Sequence, residues 1–504
     1  MKDTFSVSPN SGKKFKLPTK DDKNNIDLFL ERNSDHKVVV VQGLGFVGTV
    51  MSLVCANSDT EKYAVLGLDL CLKESYWKIA SINNGEVPIV SSDPLVEEYF
   101  NNCKRMGNLY ATYDNYAISK ADVIVVDINL DVIKEKDTNG NLKNYDVSLD
   151  NFKAAMKSIA DHCKEDVLIL IETTVPPGAC SRVIYPIIID GLKRRGLQLD
   201  RLKLGHSYER VMPGPNYIDS IKNFYRVYSG INNESAEATK EFLQTIISID
   251  QYPLTRLKTT EATEIAKVLE NSYRAMNISF IIEWTELAEK SGVDLFEVIE
   301  AIRMRPTHAN LMYPGIGVGG YCLTKDPLLA SWASQKFFGI RDGLEYSIRA
   351  VEKNDQMPAY CVDFIRPLIE NKSFDIKSIG ILGVAYGPDI ADTRFSPVQD
   401  LYLALNALNF EISCHDPYVS YWEELSLDIE NSLEDFLQQD HDALIISTGH
   451  SFYNDSGILY EKLQNSFTQK LIIDTIGILD EEKIKQNRNI NHNFFVLGRG
   501  DLII

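Results

Sequence analysis

The sequence predicts an α/β protein with two Rossmann-like, doubly wound parallel-sheet domains joined by a central helical segment. Three observations predict this. A glycine-rich turn joins the first strand to a helix, strands alternate with helix-like segments in both halves, and residues Thr259 to Arg303 are helical in pattern with little Gly or Pro. The predicted ranges are a polar extension over 1–36, then domains over 37–230, 231–345 and 346–504.

The first strand, Val38–Val41, runs into the glycine-rich turn, and a second strand ends at the acid Asp69. Glycines at these positions permit a tight turn and close approach to a pyrophosphate at the start of a helix. An acid 26 residues after Gly43 accepts hydrogen bonds from ribose hydroxyls and disfavours a 2′-phosphate. We therefore predict NAD as the cofactor. The predicted cofactor-binding residues here are Gly43, Gly45, Phe46, Val47, Gly48 and Asp69.

The apolar stretch Val38–Ala56 approaches the length of a membrane span of about 20 residues. Because the glycine turn interrupts it, we interpret it as a buried strand followed by a buried helix. The first 36 residues are polar, which argues against a signal peptide and predicts a flexible or loosely docked segment. No partner membrane is expected.

Composition excludes several classes of protein. The chain has 504 residues, enough for two or three domains, and 52 basic against 71 acidic residues give a net charge of −19. This balance argues against a nucleic-acid or membrane-surface partner, since phosphate groups attract a basic face. Eight cysteines without a CxxC pair favour a reducing, cytoplasmic setting, and eight histidines without HExxH spacing predict no catalytic metal.

The loop from Pro314 to Pro327 places several glycines just before Cys322. Glycine tolerates positive φ and has no Cβ, so such a loop can wrap a ligand. Asp326 and Pro327 have the pattern of an N-cap and a first helical residue. A helix amino terminus and Lys325 would both favour a thiolate over the free thiol, whose pKa is about 8.5. The alternative is a buried structural cysteine.

Three further segments carry polar residues near predicted strand ends or on one helix face. The turn Glu172–Gly178 follows a strand, where ligands collect in such sheets, although it could be an ordinary Pro-Pro-Gly turn. Glu209 and Arg210 lie in a loop, where they could form an exposed ion pair. Lys267 and Asn271 are four residues apart on one helix face, which is either solvated or able to hold an oxyanion.

Taken in order, these segments resemble the UDP-glucose/GDP-mannose dehydrogenase family over essentially residues 37–504. The sequences that carry the resemblance are GLGFVG, TTVPPG, YERVMPG, AKVLENSYRA, GVGGYCLTKDP and DTRFSP. Family members oxidise a sugar C6 alcohol to a carboxylate with NAD. The resemblance implies an NAD-binding domain over 37–230, a central dimerisation and catalytic segment over 231–345, and a domain over 346–504 that binds the UDP-sugar. It also implies a homodimer or higher homo-oligomer paired through the central helices.

The resemblance implies roles for individual residues. Cys322 adds to the aldehyde to give a thiohemiacetal and then a thioester, which water cleaves. Lys267 and Asn271 hold the oxyanion, each donor lowering the barrier by roughly 3 kcal/mol. Asp326 and Thr174 organise water and proton transfer, and Glu209 assists hydrolysis. The implied substrate-binding residues are Glu209, Arg210, Lys267, Asn271, Tyr313, Gly317, Gly319 and Gly320, while Thr174 and Arg394 join the cofactor-binding set.

Three positions depart from the family pattern. The Val-Pro-Thr-Pro segment after the third strand is replaced by a segment that begins with Asp127, and cations are replaced by Gly387 and Ile476. Losing cations near a dianionic nucleotide weakens binding unless Arg210 or Arg226 compensates.

The GVGG and ERVMPG segments resemble the UDP-N-acetylhexosamine branch, whereas the Lys-Asp after Cys322 resembles the glucose and mannose branches. Our leading hypothesis is oxidation of a UDP-N-acetylhexosamine for a surface polysaccharide, with UDP-glucose as the alternative substrate. A non-catalytic relative that binds NAD and a nucleotide sugar is a third hypothesis. A two-electron hydroxyacid dehydrogenase would share the cofactor half but would not need Cys322.

Overall fold

The computed structural model describes residues 4–9, 11–137, 141–211, 214–370, 375–486 and 491–502. The chain divides into two units. Unit 1 comprises Met1–Ile133, Asp146–Val268 and Trp332–Ile340, and unit 2 comprises Lys134–Tyr145, Leu269–Ser331 and Arg341–Ile504. Because each unit is assembled from several segments, the consecutive domain ranges drawn from the sequence remain a prediction.

The strands of the described residues are, in chain order, β1 (Phe5–Val7), β2 (Lys14–Lys16), β3 (Lys37–Gln42), β4 (Tyr63–Leu68), β5 (Leu109–Thr112), β6 (Val123–Val126), β7 (Val132–Lys136), β8 (Leu142–Val147), β9 (Leu168–Ile171), β10 (Lys203–Tyr208), β11 (Val227–Gly230), β12 (Thr255–Arg256), β13 (Ser378–Leu382), β14 (Glu411–His415), β15 (Tyr421–Trp422), β16 (Leu427–Asp428), β17 (Ala443–Ile446), β18 (Leu471–Asp474) and β19 (Asn493–Val496).

The α-helices are α1 (Lys23–Arg32), α2 (Phe46–Ala56), α3 (Tyr76–Asn83), α4 (Pro94–Met106), α5 (Asp150–His162), α6 (Tyr185–Arg194), α7 (Tyr217–Lys222), α8 (Asn233–Ile246), α9 (Thr260–Ser291), α10 (Leu295–Arg303), α11 (Asp326–Lys336), α12 (Glu345–Glu370), α13 (Pro397–Asn406), α14 (Leu433–Leu437), α15 (Phe452–Asp455), α16 (Ile458–Asn465) and α17 (Glu481–Ile484).

Unit 1 is built on an eight-stranded sheet in the order β12-β11-β10-β9-β6-β3-β4-β5. Neighbouring strands are parallel except β10 and β11, which pair antiparallel. The central strands are short runs of β-branched and aliphatic residues with both faces buried, as parallel strands covered by helices require. The carboxyl ends of β3, β6, β9 and β10 therefore meet along one edge, where the predicted site residues follow.

Unit 2 contains a five-stranded, fully parallel sheet in the order β14-β13-β17-β18-β19. The strands β7 and β8 form a separate two-stranded sheet. The two parallel sheets confirm the predicted α/β class with two Rossmann-like domains. The interpretation of residues 38–56 as strand and helix is also confirmed, because β3 and α2 occupy that stretch. Among the described residues, no helix combines the length and apolar character that a bilayer span requires.

The amino-terminal segment is docked on unit 1, so the expectation of a flexible or loosely docked segment is wrong for its described residues. Ile26 of α1 is completely buried, and the Phe29 ring stacks on Tyr110 of β5 at a centroid distance of 5.7 Å. Asp22 is buried and accepts hydrogen bonds from the hydroxyl groups of Tyr110 and Thr112. Composition alone misses this docking because a few apolar residues and one buried carboxylate carry it.

The long helix α9 buries polar residues as well as apolar ones. Glu264, Lys267 and Asn271 are buried, and so are the apolar residues Val268 and Ile281. Other large apolar residues of the helix are exposed, among them Leu269 at 62% and Tyr273 at 53%. The helix therefore brings polar side chains into the interior and leaves apolar ones at the surface.

Candidate active site

The glycine-rich turn between β3 and α2 is crowded on one side and open on the other. Gly43 has a φ of +103°, and a Cβ there would lie 2.3 Å from the main-chain oxygen that follows β6. A Cβ at Gly48 would lie 1.8 Å from the carbonyl oxygen of Gly43. At Gly45 a Cβ would meet nothing within 4 Å. The turn therefore leaves room for a phosphate at the amino terminus of α2, where Phe46 and Val47 begin the helix.

Asp69 follows β4 and is tied to the same turn. Its Oδ2 atom accepts a 3.0 Å hydrogen bond from the main-chain N–H of Leu44, and its Oδ1 atom accepts one of 2.7 Å from Leu70. The Nζ atom of Lys78 lies 3.4 Å from Oδ2. The glycine cradle and an acid beside it fit NAD, and when bound there NAD supplies a hydride acceptor.

A side chain of α9 anchors the turn that follows β9. Both oxygens of the buried Glu264 carboxylate accept main-chain hydrogen bonds, from Gly178 at 2.6 Å and from Cys180 at 2.7 Å. Burial raises the pKa of Glu264 to about 7, although these two N–H groups oppose the rise. Thr174, on the same turn, is half-buried, and the neighbouring Thr173 bonds the backbone after β6. The turn is thus an anchored structure rather than an ordinary exposed Pro-Pro-Gly turn.

Lys267 and Glu209 come together in unit 1. The Nζ atom of Lys267 donates a 2.8 Å hydrogen bond to the main-chain oxygen of Glu209 and lies 3.7 Å from its Oε1 atom. Glu209 is buried, and its Oε2 atom accepts from the N–H of Val211. The Nη1 atom of Arg210 donates to the carbonyl oxygen of Tyr225 at 2.6 Å, and its Nη2 atom donates to the hydroxyl of Tyr208 at 3.1 Å. Because Glu209 is buried, it is not part of an exposed ion pair. Met212 and Pro213 of the YERVMPG segment lie outside the described residues.

Four charged side chains lie in a row along one edge of the unit 1 sheet, each next to the end of one of four adjacent strands. Asp127 follows β6, Glu172 follows β9, Glu209 follows β10 and Arg226 precedes β11. Nη1 of Arg226 lies 3.3 Å from Oε1 of Glu172, and both side chains are almost completely buried. Arg226 therefore faces Glu172, and its compensating role at the nucleotide remains a prediction.

Burial changes the proton affinity of this row. It raises the pKa of Glu172 to about 7, with Arg226 opposing the rise and Glu209 adding to it. Burial, helped by the negative charges of Glu172 and Glu209, raises the pKa of Asp127 well above its ordinary value. On the other face of β10, burial and the Lys267 ammonium lower the pKa of His206 to about 3. Unit 1 thus carries acids that hold protons near neutral pH and a histidine that stays uncharged.

Cys322, Asn271 and Asp326 belong to unit 2. Cys322 is exposed, so the alternative of a buried structural cysteine is wrong. Its carbonyl oxygen accepts from the main-chain N–H of Asp326 at 2.9 Å, which places the cysteine one turn before α11. The completely buried Asp326 carboxylate accepts from Nδ2 of Asn271 at 2.6 Å and from Nζ of Lys325 at 3.1 Å. The predicted N-cap is wrong, because α11 begins at Asp326 itself and the carboxylate bonds these two side chains instead.

The glycines before Cys322 are packed against protein. A Cβ at Gly319 would lie 2.4 Å from the carbonyl oxygen of Phe395, and one at Gly320 would lie 2.8 Å from the ring of Tyr386. Gly317 has a φ of +112°. The backbone at these glycines does approach other atoms closely, as the sequence predicts, but those atoms include residues of neighbouring segments of unit 2. A substrate-binding role for them remains a prediction.

Tyr313 and Arg394 have partners within unit 2. The Tyr313 ring stacks on Phe296 at a centroid distance of 5.6 Å, and its hydroxyl contacts Arg303. Arg394 forms a bidentate pair with Asp392, with Nη2 to Oδ2 at 2.6 Å and Nε to Oδ1 at 2.9 Å. Their predicted roles toward substrate and cofactor remain predictions. The described residues contain no group of three or more His, Cys, Asp or Glu side chains placed to hold a metal ion.

Three family models match consecutive parts of the chain. They describe the NAD binding domain, the central domain and the UDP binding domain of the UDP-glucose/GDP-mannose dehydrogenase family, over residues 37–247, 261–355 and 380–481. Together they cover most of the chain. The chain belongs to this family. It is an NAD-dependent nucleotide-sugar dehydrogenase with NAD as its cofactor.

Relatives of this dehydrogenase cover nearly its full length. The UDP-N-acetyl-D-mannosamine dehydrogenase of Methanocaldococcus jannaschii is 28% identical over 94% of this chain and 99% of its own. The solved UDP-D-ManNAc dehydrogenase of Pyrococcus horikoshii superposes with a TM-score of 0.74 at 24% identity, covering 92% of this chain and 100% of its own. A UDP-glucose dehydrogenase from Pyrobaculum islandicum gives a TM-score of 0.71 at 20% identity, over 92% and 97%. The two structural matches support the fold alone.

Sequence reasoning missed Glu172 and Glu264 as possible contributors to this site. Glu264 stands three residues before Lys267, so the helical spacing could have placed both on the buried face of α9. Glu172 begins the turn Glu172–Gly178, but its neighbours in space come from strands that are far apart in the chain. Asp127 and Arg226 lie close to Glu172 only because of the order of the strands in the sheet.

Proposed function

We propose that this dehydrogenase oxidises the C6 hydroxyl of a UDP-N-acetylhexosamine to the uronic acid, with two equivalents of NAD, through a thiohemiacetal and a thioester on Cys322. The observation that carries the proposal is the arrangement around α11. An exposed cysteine stands one turn before a buried aspartate whose carboxylate is held by an amide and an ammonium group. A nucleophile beside an oriented acid–base group is what a four-electron oxidation of an alcohol requires.

The chemistry proceeds in three steps. The alcohol loses a proton and a hydride to give an aldehyde, which has no hydride to give until a nucleophile adds to it. Cys322 supplies that nucleophile, since its S–C bond converts the aldehyde to a thiohemiacetal whose C–H bond can lose a second hydride. Water then attacks the resulting thioester, the C–S bond breaks, and the carboxylate and the thiolate are released.

The other side chains act on charge and protons. Lys267 and Asn271 lie one turn apart on α9 and are both buried, so they can donate to the oxyanion that forms at each addition. Asp326 keeps a fixed orientation through Asn271 and Lys325 and accepts or returns a proton. Glu209, beside Lys267, and Thr174, on the turn held by Glu264, orient the water of the last step.

Two findings favour a hexosamine substrate over UDP-glucose. The GVGG and ERVMPG segments resemble the hexosamine branch, and the relative from Methanocaldococcus jannaschii bears the name of a UDP-N-acetyl-D-mannosamine dehydrogenase. UDP-glucose remains the second candidate because the Lys-Asp pair after Cys322 resembles the glucose and mannose branches. A surface polysaccharide is the proposed destination of the product.

The proposed assembly is a homodimer or higher homo-oligomer that pairs through α9, as the family resemblance implies. The helix exposes an apolar stripe formed by Leu269, Tyr273, Met276, Phe280, Trp284 and Leu287. A contiguous stripe of this size is unusual on a surface without a partner, and a second copy would bury it symmetrically. The proposed location is the cytoplasm, which the free state of all eight cysteines supports.

The test is to count NADH formed per sugar with UDP-N-acetylmannosamine, UDP-N-acetylglucosamine and UDP-glucose, each in limiting amount. Two NADH per hexosamine, with weaker turnover of UDP-glucose, is the expected result. One NADH per sugar would implicate a two-electron dehydrogenase, and no NADH from any of the three would implicate a binding protein. Preferred turnover of UDP-glucose would keep the reaction and overturn the substrate.

Cys322→Ser tests the covalent route in the same assay. We expect it to lose turnover or to stall after the first oxidation while NAD binding survives. Cys71→Ser is the matched control, because Cys71 is the other cysteine that reaches the surface. Normal turnover by Cys322→Ser would overturn the thioester mechanism.

A further inference from the structure

The charged row of unit 1 lies on one face of the sheet. Val125, Leu170 and Tyr228 belong to the apolar core that packs against α2. Asp127, Glu172 and Arg226 each lie two residues from one of these positions, and residues two apart along a strand share a face. Asp127 and Glu172 also follow positions that are paired in register, Val126 with Ile171. The acids are therefore neighbours across adjacent strands, under α2.

Polar atoms in this row lack hydrogen-bond partners despite being buried. Apart from the 3.3 Å ion pair between Nη1 of Arg226 and Oε1 of Glu172, the described part of the chain offers no hydrogen-bond partner to Oδ2 of Asp127, the carboxylate oxygens of Glu172, the Nη atoms of Arg226 or Oγ of Ser207. Glu172 is 1% exposed and Arg226 2%. Buried polar groups are nearly always hydrogen-bonded, commonly through enclosed water that makes two to four bonds. The unpartnered atoms of the row are therefore candidates for hydrogen bonds to enclosed water.

The charges of the row do not balance if every group is ionised. Asp127, Glu172 and Glu209 bring three negative charges, against one on Arg226 and one on Lys267. The thiol of Cys55 on α2 also faces Glu172 and Asp127, and burial together with these acids raises its pKa. Like charges in a desolvated site share a proton rather than ionise together.

We propose that Asp127 and Glu172 form a buried proton-holding site, hydrated through Ser207 and Arg226, that exchanges a proton with Glu209 during the oxidation cycle. This inference rests on the proposed function, which puts Glu209 beside the reacting groups. The step is a proton transfer: the O–H bond of protonated Glu209 breaks, an O–H bond at Glu172 forms, and the Glu209 carboxylate is left ready for the next proton. Oxidation of an alcohol to a carboxylate releases protons at several steps, so such a site would take them up in turn.

The site can be tested without turnover. Infrared difference spectroscopy detects the carbonyl stretch of protonated carboxyl groups. A titration of the full chain from about pH 5 to pH 9 covers the range in which buried carboxyl groups such as these lose their protons. We expect bands that titrate near neutral pH, and Glu172→Gln should remove one of them. Glu172→Gln should also move the Asp127 band to lower pH, because it removes the Glu172 charge that raises the pKa of Asp127. Glu264→Gln is the matched control, since Glu264 is a buried carboxyl group with a similar pKa and should lose its own band alone.

The second readout is kinetic and depends on the proposed reaction. In weakly buffered solution with a pH indicator, we expect proton release by the wild-type enzyme to lag behind the first burst of NADH. In Glu172→Gln the lag should shorten and the pH profile of kcat should change, because the amide cannot take up the proton. An unchanged lag and profile, or no titrating band assigned to Glu172, would overturn the proton-holding site. If no nucleotide sugar yields NADH, the proposed function fails, and the infrared titration alone then decides the site.

Discussion

The side-chain amide of Asn271 donates a 2.6 Å hydrogen bond to the carboxylate of Asp326, which is completely buried and also accepts from Lys325. The contact joins α9 to the first residue of α11 within unit 2. Both oxygens of Asp326 are thereby assigned to donors, so its orientation relative to the cysteine one turn earlier is determined.

Asp326→Asn should lower kcat by about 10²- to 10⁴-fold, the range of a positioned acid–base group. The amide has only one acceptor oxygen, so it cannot accept from both Asn271 and Lys325 as the two carboxylate oxygens do. It also cannot take up a proton. NAD affinity, measured by fluorescence titration, should change little, because the glycine turn belongs to unit 1. Asp363→Asn, at an exposed acid of α12, is the control and should turn over normally. Wild-type kcat in Asp326→Asn would exclude an acid–base role.

Asp69→Asn should shift cofactor preference toward NADP. The carboxylate repels a 2′-phosphate, and once it is neutral the nearby Lys78 ammonium would attract one. We expect the ratio of kcat/KM for NAD over NADP to fall by about tenfold or more, which corresponds to about 1.4 kcal/mol. Adding Lys78→Met should cancel most of the gain with NADP. A ratio that stays at the wild-type value would remove Asp69 from the cofactor site.

The raised pKa of the buried Glu264 carboxyl group predicts in which direction stability changes with pH. Its pKa is raised from 4.5 to about 7, so between these values the folded protein keeps a proton that the unfolded chain has lost. The contribution of Glu264 to the free energy of unfolding should therefore fall as pH rises from about 4.5 to 7, by up to about 3 kcal/mol. Urea unfolding at a series of pH values should show a flatter pH dependence in Glu264→Gln.

Glu261, three residues earlier on α9, is a control of opposite sign. Although burial opposes it, the hydrogen bond from Ser181 leaves the pKa of Glu261 lowered. Its stabilising contribution is present above the unfolded-state pKa and is lost as pH falls, so Glu261→Gln should reduce stability at neutral pH and lose that effect in acid. The same pH slope in both variants would contradict the two assignments.

Trp284→Glu should convert the proposed dimer to monomer. Phe280 and Trp284 pack against each other at a centroid distance of 6.0 Å in the exposed stripe of α9. A charge there would have to be desolvated in any interface that covers the stripe. Light scattering coupled to gel filtration measures the mass. Phe467→Glu, at a ring that is 82% exposed outside α9, is the control and should keep the wild-type mass. A dimer that survives Trp284→Glu would place the interface elsewhere.

Much of the fold follows from local pattern. The turn at Gly43 and the acid at Asp69 are encoded within one strand–helix–strand unit, so their relation is visible in sequence. The four-residue spacing of Lys267 and Asn271 correctly predicts a shared helix face, and both prove to be buried. These features depend on neighbours along the chain, which the sequence displays directly.

The remaining features depend on contacts that sequence order conceals. Asp127, Glu172 and Arg226 are brought together by the strand order, which places β6, β9, β10 and β11 side by side. The apolar residues of α9 have a periodicity that normally indicates a core face, yet Leu269 and Tyr273 are exposed. Periodicity shows that a face is apolar but does not say whether this chain or another covers it.

The packing of Gly319 and Gly320 against Phe395 and Tyr386 has a consequence for how the enzyme would fail. The segment that bears Cys322, the proposed nucleophile, packs against residues some seventy positions later in the chain. Heat, or a substitution that disturbs Phe395 or Tyr386, would abolish the oxidation while the NAD-binding turn of unit 1 stays intact. A damaged preparation would then still capture NAD, and cofactor binding alone would be a poor measure of competent enzyme.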